Sequence, residues 1–60
     1  MFAIKNKNNQ YLTRKNLFDD YSFTDNNNFA YVWGDIREAE AVRNILTDYQ
    51  SINDLEIVTI

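Results

Sequence analysis

The chain contains one clear helix signal, and it begins directly after its single glycine, Gly34. The following residues place apolar side chains at steps of three and four, the spacing of one face of an α-helix. These positions are Ile36, Ala39, Val42, Ile45, Leu46 and Tyr49. Asp35 can accept hydrogen bonds from the free N–H groups of the first turn, and Glu38 follows as in a capping box. The sequence therefore predicts a helix from Ile36 to about Gln50.

The N-terminal region predicts a β-hairpin. Phe2 and Ile4 alternate with smaller or polar residues, which places them on one face of a strand. The Asn-rich run of residues 6–10 is turn material, because Asn tolerates left-handed backbone angles and bonds to its own main chain. Residues 11–13 then form the returning strand, with Leu12 as its inward anchor.

Two further strands are predicted on either side of the helix. Residues 31–33 form a short aromatic strand before it, and residues 55–60 form a strongly β-branched strand after it. The apolar character of the last strand is typical of a central strand. A helix between these two strands permits a right-handed crossover into parallel pairing. Residues 14–28 lack a clear period, although Tyr21–Thr24 is a candidate short strand.

The predicted order is therefore β-β-loop-β-α-β, within a single small α+β domain spanning residues 1–60. The fold class is a β-sheet of three to four strands with one helix packed on one face. The other face of the sheet has no cover in the sequence. Self-association or a partner is the expected consequence.

Composition excludes several kinds of chemistry. The chain has no Cys and no His, so disulfides, the usual zinc sites and the commonest catalytic bases and nucleophiles are excluded. The segment beginning at Asp25 starts like a calcium-binding EF-hand loop, but Phe29 stands where that loop needs a ligand. We expect a protein that is not an enzyme and has no catalytic residue, cofactor or metal site.

Large aromatic side chains are too numerous for a core built from 60 residues. Some must be exposed, and such residues dominate protein interfaces. We expect Trp33 and Tyr49 in the core, with buried and exposed positions equally compatible with Tyr31. The candidate interaction surface consists of Tyr31, Arg37, Glu40 and Arg43. An unidentified protein partner and a homo-oligomer are the expected assemblies.

Charge is distributed unevenly along the chain. The residues before Asp19 carry +4 and the remainder −7, giving the net charge of −3. This asymmetry is typical of two partner faces, although mutual neutralisation in the folded chain explains it equally simply and is the interpretation we favour. A candidate nucleic-acid patch surrounds the hairpin, with one stacking ring among basic side chains. Its members are Lys5, Lys7, Tyr11, Arg14 and Lys15.

The acidic isoelectric point, near 4.5, opposes nucleic-acid binding, so that activity is the alternative rather than the first choice. Carboxylates on the helix raise a further hypothesis, mimicry of nucleic-acid phosphates, for which a net charge of −3 is weak support. No apolar run approaches the length of a membrane span, and no secretion signal is recognisable. Cytoplasmic location without membrane contact is the expectation.

In pattern, the sequence resembles small proteins encoded by phages and prophages of Gram-positive bacteria. The resemblance lies in the opening Phe2-Ala3-Ile4-Lys5-Asn6-Lys7 with Gln10-Tyr11-Leu12-Thr13, and in an aromatic strand followed by a helix that opens with Glu38-Ala39-Glu40. It implies an accessory protein and carries over no functional residue. The expected function is a non-enzymatic interaction module that binds a host or phage protein.

Overall fold

The protein is described from a computed structural model, in which residues 1–14 and 21–60 are placed. Four strands and one helix form the framework, with a 3₁₀ turn before the helix. Their bounds are β1 Phe2–Lys5, β2 Tyr11–Arg14, β3 Tyr21–Thr24, the 3₁₀ turn Asn27–Phe29, α1 Ile36–Gln50 and β4 Glu56–Thr59. The predicted α+β class, with one helix on a small sheet, is confirmed.

The four strands form one antiparallel sheet in the order β3-β2-β1-β4. The last strand, β4, therefore lies at an edge, and the prediction that it is central is wrong for the isolated chain. The parallel pairing that the helix crossover permitted is not formed among the described strands, since β4 pairs antiparallel with β1. The apolar side chains on both faces of β4 suggested a central strand, but a sequence pattern does not show how many neighbours a strand has.

Residues 31–33 do not form the predicted strand. Trp33 makes an isolated antiparallel bridge to Phe2, in which the backbone N–H of each donates to the carbonyl of the other at 2.8 Å. The Tyr31 N–H donates to the Leu12 carbonyl, also at 2.8 Å. The segment is thus held between β1 and β2. It runs parallel to β4, but β1 lies between the two, which explains why they do not pair directly.

The predicted Asn-rich turn is confirmed in atomic detail. The Asn6 side-chain oxygen accepts hydrogen bonds from the backbone N–H groups of Asn8 and Gln10, at 3.0 and 2.9 Å. Asn9 adopts a left-handed backbone with φ of 62°, a conformation that Asn tolerates better than most residues. In the same way, the Asn26 side chain accepts from the Asn28 N–H at the start of the 3₁₀ turn.

Helix α1 begins as predicted. Asp35 is its N-cap residue, and its side chain accepts a 2.9 Å hydrogen bond from the Arg37 N–H. At the other end Ser51 adopts a left-handed backbone with φ of 56°, and its N–H bonds to the Leu46 carbonyl. Gly34 does not have a positive φ and lies in a bend before the cap.

The buried stripe of α1 is narrower than its apolar pattern. Ala39 and Leu46 are fully buried and Val42 packs beside them, whereas Ile36, Ile45 and Tyr49 are exposed. The physical reason is the small size of the surface beneath the helix, since α1 packs against β1 and β4, each four residues long. The prediction that Tyr49 belongs to the core is wrong.

The core lies between α1 and one face of the sheet. Its buried members are Ile4, Leu12, Trp33, Ala39 and Leu46, with partly buried apolar side chains around them. The predicted inward positions of Leu12 and Trp33 are confirmed. The opposite face carries Thr13, Ser22 and Thr24, and the register places Ala3, Tyr11 and Val58 on the same face. Antiparallel sheets often have one face in contact with water, so this mixture does not by itself require a cover.

Two neighbouring helix residues test this division between core and surface. Leu46→Ala should lower the free energy of unfolding by about 2–5 kcal/mol, because it removes a fully buried side chain. Ile45→Ala, at an exposed position one residue earlier, should change it by about 0.5 kcal/mol or less. Urea or thermal unfolding followed by circular dichroism measures both. Equal losses for the two variants would contradict the described core.

Candidate interaction surfaces

Tyr31 is anchored in the molecule instead of standing free on its surface. Its ring lies 4.7 Å from the ring of Trp33, centroid to centroid, at an angle of 60°. The side chain is half-buried against the core, and its backbone is tied to Leu12. An aromatic pair in this tilted arrangement stabilises the fold. Tyr31 therefore offers a partner only part of its ring.

Arg37 is the most open member of the candidate interaction surface, with 86% of its side chain exposed. Its guanidinium donates two hydrogen bonds to the Asp35 carboxylate, from Nη2 to Oδ2 at 2.9 Å and from Nε to Oδ1 at 3.3 Å. Among the described residues its ion pair is therefore with the helix cap and not with Glu40, the partner that helical spacing suggests. This contact holds the Asp35 side chain in its position at the start of the helix.

The same contact shifts the titration of both groups. Hydrogen bonds from the Arg37 side chain and backbone hold the pKa of Asp35 below its ordinary value. The carboxylate in turn raises the pKa of Arg37. Arg37 is exposed and Asp35 is partly exposed, so salt and water screen the interaction. The shifts are explained by helix capping and require no chemical function.

The other two members of the candidate interaction surface, Glu40 and Arg43, are half-buried on α1. They follow Arg37 at steps of three and form one line along the helix. Tyr31 belongs to the segment between β1 and β2. The structure thus places three members of the candidate interaction surface on one helix and the fourth on a different segment.

Sequence reasoning missed an exposed apolar row on α1. We call it the helix row, and it consists of Ala41, Ile45 and Tyr49, spaced four residues apart on one side of the helix. Ile45 is 53% exposed and Tyr49 is 83% exposed. The signal was present in the sequence as a second line of apolar residues beside Val42 and Leu46. Its exposure depends on the width of the sheet beneath, which no local pattern gives.

Part of the candidate nucleic-acid patch is assembled. Lys5 and Tyr11 are cross-strand partners in β1 and β2, and the Lys5 ammonium lies 5.6 Å from the centre of the Tyr11 ring. That separation is within the range of a cation–π contact. Lys7 is exposed in the hairpin turn, and Arg14 ends β2. Lys15, the fifth predicted member, lies outside the described residues.

Lys5 and Tyr11 also line a wide, shallow depression of about 660 Å³. Its other lining residues come from the hairpin turn and from the loop after β3, and they are Asn9, Asp25, Asn26 and Asn27. Asp25 brings the formal charge of the lining to zero, and Glu56 lies opposite Lys5 on β4. The depression therefore has an aromatic ring and amide groups but no excess of positive charge.

Comparison with known protein families, with curated proteins and with solved structures finds no match for the chain. Within residues 1–14 and 21–60, no helix is both long and apolar enough to cross a membrane. The same described part of the chain contains no group of three or more acidic side chains placed to hold a metal ion.

The Asp35–Arg37 contact generates a prediction about acid stability. Since the folded-state pKa of Asp35 is lowered, its contribution to stability is present above the unfolded-state pKa and is lost as pH falls through the folded-state value. Asp35→Asn keeps a capping oxygen but removes the charge, so it should unfold at a lower temperature than the parent near neutral pH, and the gap should close in acid.

Thermal melts between neutral pH and strong acid measure that gap. Arg37→Gln removes the partner of Asp35 and keeps the charge of the cap. The melting temperature of this variant should also fall below that of the parent near neutral pH, and this difference should become smaller in acid. A difference in melting temperature between the parent and Asp35→Asn that stays the same at every pH would contradict the charge-dependent role of the cap.

Proposed function

We propose that the protein is a small non-enzymatic interaction module, an accessory protein of phage or prophage origin that acts in the cytoplasm. It binds a protein partner through the helix row and also associates with itself. The observation that carries the proposal is the exposure of Ile45 and Tyr49 on the same side of α1. The phage origin is supported by the pattern resemblance of the sequence alone.

The helix row has the properties of a recognition helix. An amphipathic helix that docks in an apolar groove uses anchors one turn apart, and Ala41, Ile45 and Tyr49 have that spacing. Tyrosine is enriched among the residues that dominate binding energy, because its ring buries a large area while its hydroxyl stays hydrogen-bonded. Polar neighbours, Asn44 and Asp48, are exposed beside the row and would form the rim of such an interface.

Two features favour binding over catalysis. The sequence has neither His nor Cys. Among the described residues, the titratable groups with shifted pKa are Asp35 and Arg37, and their mutual contact explains both shifts. A catalytic site normally contains a perturbed group whose shift the fold alone does not require.

Substitution in the helix row tests the proposal. Ile45→Lys combined with Tyr49→Lys should abolish capture of the partner from a lysate of the native host, because the charges would have to enter an apolar groove. Thr47→Lys combined with Gln50→Lys adds the same two charges at exposed positions on another side of the helix and should leave capture intact. Circular dichroism should show that both variants fold. A partner retained equally by all three proteins would exclude the helix row as its binding site.

A second candidate function is binding of single-stranded nucleic acid at the hairpin. The observation that favours it is the assembly of the Lys5 ammonium over the Tyr11 ring, since a base can stack on such a ring while a cation meets its phosphate. The balancing carboxylates, Asp25 and Glu56, weaken this function relative to the first.

Fluorescence anisotropy with labelled single-stranded DNA and RNA at low salt tests this alternative. Tyr11→Leu should weaken binding roughly ten-fold through lost stacking. Lys5→Gln should weaken it and reduce its salt dependence by about one counterion. Arg37→Gln removes the same charge from the helix and serves as the control. Absence of binding at low salt, or equal weakening by the control, would dispose of nucleic-acid binding at the hairpin.

A further inference from the structure

The outer edge of β4 carries backbone groups that are unused within the described chain. Ile60 donates its N–H to the Met1 carbonyl at 2.9 Å, and both polar backbone groups of Phe2 bond to Trp33, on the side of β1 away from β4. The directions of the backbone N–H and carbonyl groups alternate along a strand, so these groups of Ala3 and Lys5 point toward β4. The same backbone groups of their partners, Val58 and Glu56, point back toward β1. The N–H and carbonyl groups of Ile57 and Thr59 therefore point outward.

This edge is only lightly protected. Natural proteins guard exposed edges with short strands, charged side chains, Pro, a bulge or a covering segment. Among the described residues, β4 is short and begins with Glu56, but it has no Pro, no Lys and no bulge. β4 has the sequence Glu56-Ile57-Val58-Thr59, with β-branched side chains in three of four positions and a regular register against β1. Its composition is that of a strand with a neighbour on each side, whereas the described strands supply one neighbour, β1. A second strand at this edge would resolve the discrepancy.

We propose that a second copy of this chain occupies the edge, so that two β4 strands pair antiparallel about a two-fold axis at Val58 and join the sheets into one of eight strands. This names the surface through which the self-association in the proposed function takes place. In that register Ile57 of each copy pairs with Thr59 of the other copy. The outward backbone groups of both residues are then hydrogen-bonded.

Side-chain chemistry favours the same register. Val58 meets its own copy across the axis, on the face of the sheet shared with Ala3. Glu56 lies opposite the apolar Ile60 of the second copy, so the two carboxylates are not opposed as they would be in a parallel pairing. Ile60 is about half exposed in the single chain and would gain cover. An isologous contact of this kind closes after two copies.

Thr59→Pro tests the proposal with little risk to the fold. Proline is tolerated at an edge strand where the missing N–H faces solvent, as the Thr59 N–H does here. Sedimentation equilibrium should give the parent protein a mass of twice 7.1 kDa at high concentration, while Thr59→Pro should remain a monomer. Thr59→Ala, which keeps the N–H, should still form the dimer. Val58→Lys should dissociate it by placing like charges at the axis.

Hydrogen exchange supplies a second reading at single residues. The amide protons of Ile57 and Thr59 should exchange slowly at high concentration and quickly on dilution, whereas that of Val58, bonded within the chain, should change least. A parent protein that stays monomeric at millimolar concentration, or a Thr59→Pro variant that dimerises like the parent, would overturn the proposal. A dimer that Ile45→Lys and Tyr49→Lys dissociate, and Thr59→Pro does not, would place self-association on the helix row instead.

Partner binding at the helix row and self-association at β4 are tested independently. If the variant with Ile45→Lys and Tyr49→Lys loses partner capture but keeps the dimer, the helix row is the external binding surface and β4 is the surface between copies. If that variant keeps both the dimer and partner capture, the result contradicts the helix row as a binding site and leaves the β4 contact standing.

Discussion

The exchange of two backbone hydrogen bonds between Phe2 and Trp33 is the contact on which the rest of this small fold depends. It inserts the segment before the helix between β1 and β2, where it satisfies backbone groups that would otherwise be unpaired in the interior. It also carries the Trp33 side chain, 7% exposed, into the core. Because α1 begins three residues after Trp33, the same contact sets where the helix starts above the sheet.

Features determined by near neighbours in the sequence could be predicted. The hairpin turn depends on Asn6 bonding to residues within four positions, and the helix start depends on Asp35 bonding two residues ahead. The α+β class follows from one helical period among strand periods. These signals are short-range, so tertiary packing had little opportunity to override them.

Features determined by distant contacts could not be predicted. Residues 31–33 have the composition of a strand, and their extended backbone fits either a full strand or the short insertion that the structure has. The choice depends on the contacts of this segment with Phe2 and Leu12. The edge position of β4 likewise depends on which strands pair with β1. Apolar periodicity gives the direction of a buried face but not its neighbours.

The candidate surfaces also contain some features set by near neighbours in the sequence and others set by distant contacts. Lys5 and Tyr11 could be brought together from the sequence, because a short hairpin turn separates them. The approach of Asp25 and its neighbours to the same ring could not, because it requires the pairing of Tyr11 with Thr24 across the sheet. The helix row was missed because Ile45 and Tyr49 satisfy the helical period whether or not anything lies beneath them.

The register of the sheet also bears on the uneven charge of the chain. Lys5, from the basic N-terminal part, lies directly opposite Glu56 from the acidic remainder, and Asp25 approaches the same depression. Opposite charges at facing positions of two strands stabilise the pairing. Lys5 is thus a basic residue of the N-terminal part that faces the acidic remainder across the sheet. A partner approaching this region encounters an aromatic ring among amides, so shape and hydrogen bonding would govern recognition there more than net charge.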